Sequence, residues 1–287
     1  GNVANSNFTS TSQTVFNVVS GGSVRFNKTK INGDYPSRTY IIGTFTSDYY
    51  GEYYVLNDLV AAASASSTLY LHNKTYVLDR MVTISKNIVI HGGNSSGDNL
   101  FSTVNGLNTY RLFYITGAVT VTFININFIN GYAPSGSSGG HGVAIYSETN
   151  GANVKVINST FNNNIAGGAA VAMCIVGGAS VVTVENSSFT NNKATGSGDS
   201  GALYCQGTAN IKGSTFINNT ATQNGGAIYG NTVNVDSSIF INNTAALSGG
   251  AIYGITKVTV VGSIFENNMA NKPSAASGGG AIWASNG

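Results

Sequence analysis

The stretch "TQNGGAIYGNTVNVDSSIFINNTAALSGGAIYG", residues 222–254, spells GGAIYG at 225–230 and again at 249–254, with a Phe and paired Asn between the copies. Aligning the chain on that Phe extends the pattern in both directions. The unit reads apolar-x-apolar, four residues, then Phe, and its middle never changes length. Its instances are Val121/Phe123/Phe128, Val154/Val156/Phe161, Val182/Val184/Phe189, Ala209/Ile211/Phe216, Val233/Val235/Phe240 and Val258/Val260/Phe265. In five of the six an Asn follows three residues later: Asn164, Asn192, Asn219, Asn243 and Asn268. A polar, Gly-rich segment of variable length comes next. After it stands a small-residue motif: "GVAIY" (142–146), "GAAVA" (168–172), "GALY" (201–204), GGAIY twice, and "GGAIW" (279–283).

Successive Phe residues lie 33, 28, 27, 24 and 25 positions apart. A period in this range marks a solenoid, because one such unit cannot bury its apolar face without neighbours. The Val-x-Val alternation has period two and predicts strands. No repeated segment has the apolar spacing, length or caps of a helix. Strands that recur once per winding stack in parallel on their counterparts about 4.8 Å apart. The sequence therefore predicts an all-β fold, a parallel β-helix, whose core is filled by rows of like side chains. Each GGAIY is the same corner one winding later, and Gly-Gly lets the chain turn tightly there. Asn suits the other corners, since it tolerates left-handed backbone angles and bonds locally. Stacked amides can also bond along the axis.

Before the repeats, "TLYLHNKTYVLDRMVTISKNIVIHGG" (68–93) holds three short strand patterns, and "LNDLVAAASAS" (56–66) is the one plausible helix, placed to cap the stack. The expected organisation is thus an N-terminal extended or edge-strand segment, 1–55, followed by a β-helix over 56–287 with its repeat windings in 111–287. Within the first segment, "TVFNVVSGGSVRFNKTKING" (14–33) looks like "RLFYITGAVTVTFININFING" (111–131), and so reads as winding material. An open edge at each end invites head-to-tail stacking or strand donation.

Composition narrows function. Only 8% of the residues are charged, against about 25% in a typical soluble domain. A net charge of +2 and the lack of a basic run speak against a nucleic-acid partner. The first residues lack the basic start and apolar stretch of a signal peptide, so any signal is expected to have been removed. The uncharged window "IAGGAAVAMCIVGGASVV" (165–182) reads as two strands around Gly177-Gly178 and not as a membrane helix. Eight sequons, at Asn7, Asn27, Asn73, Asn94, Asn158, Asn186, Asn218 and Asn242, together with the low charge, point to an exported, cell-surface protein. Cys174 and Cys205 either sit within disulfide reach on neighbouring windings or pack separately as small hydrophobes.

With the FxxN and GGA[ILV] pair in place, the chain resembles the polymorphic outer membrane proteins of chlamydiae. Its whole layout, helix then "TLYLHNKTYVL" then FxxN/GGAIY windings, is similar to the archaeal adhesin-like proteins of methanogens. The resemblance covers roughly residues 56–287. It implies a right-handed, pectate-lyase-like β-helix at the cell surface with adhesive or structural roles. Neither an autotransporter barrel like that of the chlamydial proteins nor an anchor is read in these residues, so the chain is expected to be either a segment of something longer or held at the surface by assembly.

Enzymes also use such folds, and "GHG" (140–142) looks like the His motif of polygalacturonases. Those enzymes need clustered acids, whereas Asp199, Asp236, Glu185 and Glu266 fall in different windings. His72 and His91 sit in strand-like patterns without partners, and His141 falls at a corner. No catalytic residue, metal site or cofactor is expected. A binding surface is favoured instead. If Ile228 and Ile252 face inward, the next residues face out, placing Tyr146, Tyr204, Tyr229, Tyr253 and Trp283 in an outer stripe that suits a surface glycan, a loop or another copy. Carbohydrate binding, or lyase or hydrolase action on a polysaccharide, is the alternative to an adhesin-like, self-assembling role.

Overall fold

A computed structural model describes residues 56–71, 73–93, 100–133, 140–168, 171–271 and 278–285, together with short strands at 2–4, 7–8, 25–27 and 30–31. Every strand pairing in it is parallel, and the strands of the main body form sheets of 13, 8 and 6 strands that run along one stack of windings. The Tyr-rich run at 40–55, His72 and Asn94 lie outside the described residues.

The invariant middle of the repeat builds the first two sheets. In the first, Val121, Val154, Val182, Ala209, Val233 and Val258 pair in register, as do Phe123, Val156, Val184, Ile211, Val235 and Val260. In the second, Phe128, Phe161, Phe189, Phe216, Phe240 and Phe265 form one row. Their rings stack almost flat, with centroids 4.3, 4.3, 4.7, 4.8 and 4.7 Å apart, so the ring spacing follows the strand spacing. All but the last are fully buried. The third sheet is made of two-residue strands such as Thr220–Ala221 and Thr244–Ala245. It turns alanines inward, where the corner leaves room for little more than a methyl group.

The corners divide two tasks between adjacent asparagines, where the sequence reading gave both to one. The second residue after each Phe, Asn163, Asn191, Asn218, Asn242 or Asn267, carries the left-handed φ of 52–55° that makes the turn. The third residue is buried and forms the ladder. Asn192 donates its backbone N–H (3.1 Å) and its Nδ2 (2.9 Å) to Asn219 Oδ1, and the pattern runs from Asn164 to Asn268. Each Nδ2 also reaches the Phe carbonyl of the winding before, as Asn219 does to Phe189 O at 3.0 Å. The buried ladder amides of Asn164, Asn192, Asn219 and Asn243 are thus satisfied within the protein. A second ladder, at the residue two before each Phe, was not foreseen. Ser159, Ser187, Ser214, Ser238 and Ser263 each accept the backbone N–H of the preceding winding at 3.0–3.1 Å.

The first sheet begins as two arms. One holds strands such as Ile145–Ser147 and Met173–Ile175, the other Asn153–Ile157 and Val181–Glu185. From Leu203–Lys212 onward the intervening loop disappears and the arms fuse into continuous strands, then Ile228–Asp236 and Ile252–Val261. The window at 165–182 therefore forms strands, and no helix among the described residues is long and apolar enough to cross a membrane.

The capping helix, α1, spans Leu56–Ala62, shorter than the 56–66 read from sequence. It buries Leu56, Leu59 and Val60 over the first windings, against the strand Val82–Ile84. Asp58 pairs with Arg80 at 3.1 Å. Among the described residues towards the other end of the stack, Val260, Val261, Ile264 and Met269 are 36, 58, 49 and 53% exposed.

Candidate binding surface

Alternation along the first sheet sends every second side chain outward. In the arm that follows the Gly corner, the outward row reads Thr83, Tyr114, Tyr146, Cys174, Tyr204, Tyr229, Tyr253, Trp283. The five aromatics picked from sequence are thus one row, and Tyr114 extends it. Tyr114 was legible in "LFYI", which aligns with "AIYS" once the small-residue corner is not required.

In-register parallel strands hold these rings one strand apart, so they stack on each other. Tyr204–Tyr229, Tyr229–Tyr253 and Tyr253–Trp283 have centroids 5.1, 4.9 and 4.4 Å apart with interplanar angles of 4, 2 and 14°. Tyr114 and Tyr146 stack at 5.5 Å. Ring faces are consumed along the axis; Tyr146 and Cys174 are buried under their neighbours, at 5 and 3% exposure, so the row offers a ligand ring edges and phenol hydroxyls only at its partly exposed members, Tyr114, Tyr204, Tyr229, Tyr253 and Trp283. Each stacked pair adds about 0.5–1.5 kcal/mol beyond area burial.

Cys174 occupies the gap between Tyr146 and Tyr204 on the outer side, whereas Cys205, in register with Ile175, faces the core. Opposite faces of a sheet put the two sulfurs out of bonding geometry, and both thiols are free and buried. Of the two readings left open by sequence, separate packing is the one seen. Burial pushes the Cys174 thiol up to about 12 and the Cys205 thiol up to about 11.

Charge gathers at two places along the row. At one, Arg111 lies 4.3 Å over the Tyr146 ring and donates Nε (3.2 Å) and Nη2 (2.8 Å) to the His141 carbonyl. Glu148 accepts the Tyr114 hydroxyl at 2.5 Å and the Tyr146 hydroxyl at 3.2 Å. The hydrogen bond to Glu148 raises the Tyr114 phenol, while burial, with Glu148 second, pushes Tyr146 to about 12. Burial, and then the Arg111 charge, hold the His141 imidazole below its ordinary range. At the other place, Asp199 accepts Asn224 Nδ2 at 2.9 Å. Its charge adds to burial in raising Tyr229 to about 12 and in raising Tyr253. Arg111, Glu148 and Asp199 were not singled out as contributors to this surface, because windings of unequal length hide which loop residues meet.

The remaining acids do not join the surface. Glu185 pairs with Lys155 at 3.0 Å, Asp236 approaches Lys212 at 3.9 Å, and Glu266 is exposed. Among the described residues no three His, Cys, Asp or Glu converge as metal ligands. His91 packs against Tyr70 and its Nδ1 lies 2.6 Å from Gly92 O. Of the sequons, Asn158, Asn186, Asn218 and Asn242 all have positive φ at repeat corners. Their Asn is accounted for by the turn. Asn73, Asn186, Asn218 and Asn242 are exposed. Asn158 is half-buried and donates to Asn125 Oδ1 at 2.7 Å. Asn7 and Asn27 lie on the short N-terminal strands.

Compared with known protein families, residues 213–231, 237–255 and 262–285 match the Chlamydia polymorphic membrane protein repeat. These are three successive windings of the fused-strand part of the stack. No curated protein and no solved structure matches the chain.

Proposed function

We propose that a chain carrying these repeats is a non-enzymatic, extracellular cell-surface protein, adhesin-like or structural, whose solenoid self-associates into a longer rod or sheath. The observation that carries this reading is the match of three windings to a repeat named for a polymorphic membrane protein, on a scaffold of unusually low charge. The exposed Val261, Ile264 and Met269 support self-association, since exposed apolar side chains favour further association. Two experiments test it. Antibody labelling and protease shaving of intact producing cells should reach the protein, and an intracellular pool resistant to both would refute surface placement. Sedimentation and electron microscopy of the purified chain should give rods longer than one stack, and monodisperse single stacks at every concentration would refute self-association.

A second reading, recognition of a surface glycan, is favoured by the polar patch that Arg111 and Glu148 form with Tyr114 and Tyr146 of the outer row. It requires that glycan retention fall with Arg111→Ala while the far-UV spectrum is unchanged. Turnover of an acidic or neutral polysaccharide, lost in His141→Ala, would overturn the non-enzymatic reading.

A further inference from the structure

The outer row holds its tyrosines in two runs, Tyr114 with Tyr146, and Tyr204 with Tyr229 and Tyr253, parted by Cys174. In the longer run each ring repeats the one before it, shifted by a single strand spacing. Centroids lie 5.1 and 4.9 Å apart and the planes agree within 4°. Equivalent atoms of neighbouring rings therefore stand opposite one another, the ortho carbons beside each hydroxyl included. A quarter turn of two such rings about their Cβ–ring bonds sets them edge to edge along the axis, ortho carbon facing ortho carbon. That turn gives up the stacking between them. All three side chains are partly exposed, which leaves them free to turn and open to a reagent.

The shorter run is held. Tyr146 is buried, and the Arg111 guanidinium lies 4.3 Å over its ring. Glu148 accepts the hydroxyls of both Tyr114 and Tyr146. Packed under a cation and clamped at their hydroxyls, these two rings can neither turn nor lean together. Tyr204 carries a lighter tether, one hydrogen bond from Gln206 Nε2 at 3.1 Å.

We infer that Tyr204, Tyr229 and Tyr253 form an oxidative cross-linking site, where a one-electron oxidant of the haem-peroxidase class, drawing on hydrogen peroxide, joins tyrosines of successive windings through a carbon–carbon bond. Two neighbouring phenols each give up one electron and one proton. The peroxide O–O bond breaks as it takes up both electrons and both protons and becomes two waters. The two phenoxyl radicals pair their odd electrons in a new bond between ortho carbons. The hydrogen on each of those carbons then moves as a proton to its own ring's oxygen, which restores both phenols. The protein loses two hydrogen atoms in all. Tyr229 is the hub, since it can join either neighbour. The links close loops of 25 and 24 positions. A covalent loop restricts the unfolded chain, and here it ties one winding to the next. The site needs no second copy of the chain, so it stands apart from the self-association proposed above.

Peptide mapping tests it. Dilute full-length chain is treated with a haem peroxidase and hydrogen peroxide, and the monomer band of a denaturing gel is cleaved at Lys212 and Asp236, which puts the three tyrosines on separate peptides. Mass spectrometry should find the Tyr229 peptide joined to that of Tyr204 or Tyr253 and lighter than their sum by two hydrogens. The exposed Met269 gains oxygen instead, so its mass change is distinct. Tyr229→Phe keeps the ring and should keep the far-UV spectrum. It should remove both pairs and put no Tyr204–Tyr253 pair in their place. Tyr204→Phe should spare the Tyr229–Tyr253 pair. The packed Tyr114–Tyr146 pair should be at least about tenfold scarcer than the pairs of Tyr229. Absence of every Tyr229 pair from the monomer band would overturn the inference. So would a Tyr204–Tyr253 pair formed equally well in Tyr229→Phe, or a Tyr114–Tyr146 pair formed as readily as the others. The linked monomer should melt above the unlinked chain, and an unchanged or lower midpoint would overturn the tie between windings.

Discussion

Replacing Asn219 by Leu tests the corner ladder with side-chain volume roughly kept. The Asn219 amide accepts the Asn192 N–H (3.1 Å) and Nδ2 (2.9 Å), and donates to Asn243 Oδ1 (2.9 Å) and Phe189 O (3.0 Å). Leu orphans the buried Asn192 N–H and leaves Asn192 Nδ2 and Asn243 Oδ1 with one partner fewer each. An orphaned buried group costs about 1–3 kcal/mol and each weakened one about 0.5–1.5 kcal/mol. The expected loss is therefore about 2–5 kcal/mol, offset slightly by the apolar gain. Because each winding touches only its neighbours, the effect should be local. Thermal unfolding followed by far-UV circular dichroism measures the total, with Asn218→Gly as the control, since Gly accepts the φ of 54° at the exposed turn residue beside it. Hydrogen exchange should show lost protection at Asn192 and its neighbours while strand 113–115 keeps its own. A destabilisation no larger than that of the control, or unchanged exchange at Asn192, would refute the ladder.

Further outcomes follow from the same geometry. Asn242→Ala should cost about 1–2 kcal/mol in chemical denaturation, because an alanine is strained at φ 54°, whereas Asn242→Gly should be near neutral. Gly226→Ala should abolish folding, judged by the far-UV spectrum of the purified variant, since its Cβ would run into the Gly250 carbonyl oxygen of the next winding. Gly178→Ala, with open space around it, should melt like the parent. Neither native thiol should react with a thiol reagent at pH 8 until the chain is unfolded, since both are buried and free. Stability should also fall at alkaline pH. The folded-state values of Cys205, Cys174, Tyr146 and Tyr229 are raised to about 11–12. Their contribution is whole below the unfolded values of about 8.5 and 10, and is lost as pH rises through the folded ones. Urea midpoints taken from pH 7 to 11 check the sign.

The repeat unit exposed most of the fold because its middle has constant length. Val-x-Val and Phe recur at fixed steps, so their rows could be read before any coordinates. What stayed hidden depended on contacts between windings of unequal length. The division of labour between Asn218 and Asn219 cannot be seen in a pair of identical residues, one of which turns the chain while the other bonds along it. The serine ladder sits in the four residues that looked like spacer. Cys174 and Cys205 each follow a Gly-Ala motif, yet one stands a residue later in its strand, and period two sends them to opposite faces. Four sequons that favoured export coincide with corner asparagines whose turn already explains them. The aromatic row was legible as a row. Its face-to-face stacking, which leaves a ligand only edges and hydroxyls, follows from strand spacing and came with the structure.

The central claim is that equivalent residues of successive windings lie in straight rows along one axis. Thr68 and Thr259 are exposed members of a single row that runs Thr68, Val89, Thr122, Lys155, Thr183, Asn210, Asn234, Thr259, seven strand spacings in all. At about 4.8 Å per spacing, their Cα atoms should stand about 34 Å apart although 191 residues separate them. Pulsed electron–electron resonance between spin labels at these two positions should give one narrow distance near that value. A broad distribution, or a distance longer by more than about two strand spacings, would contradict the stacked solenoid.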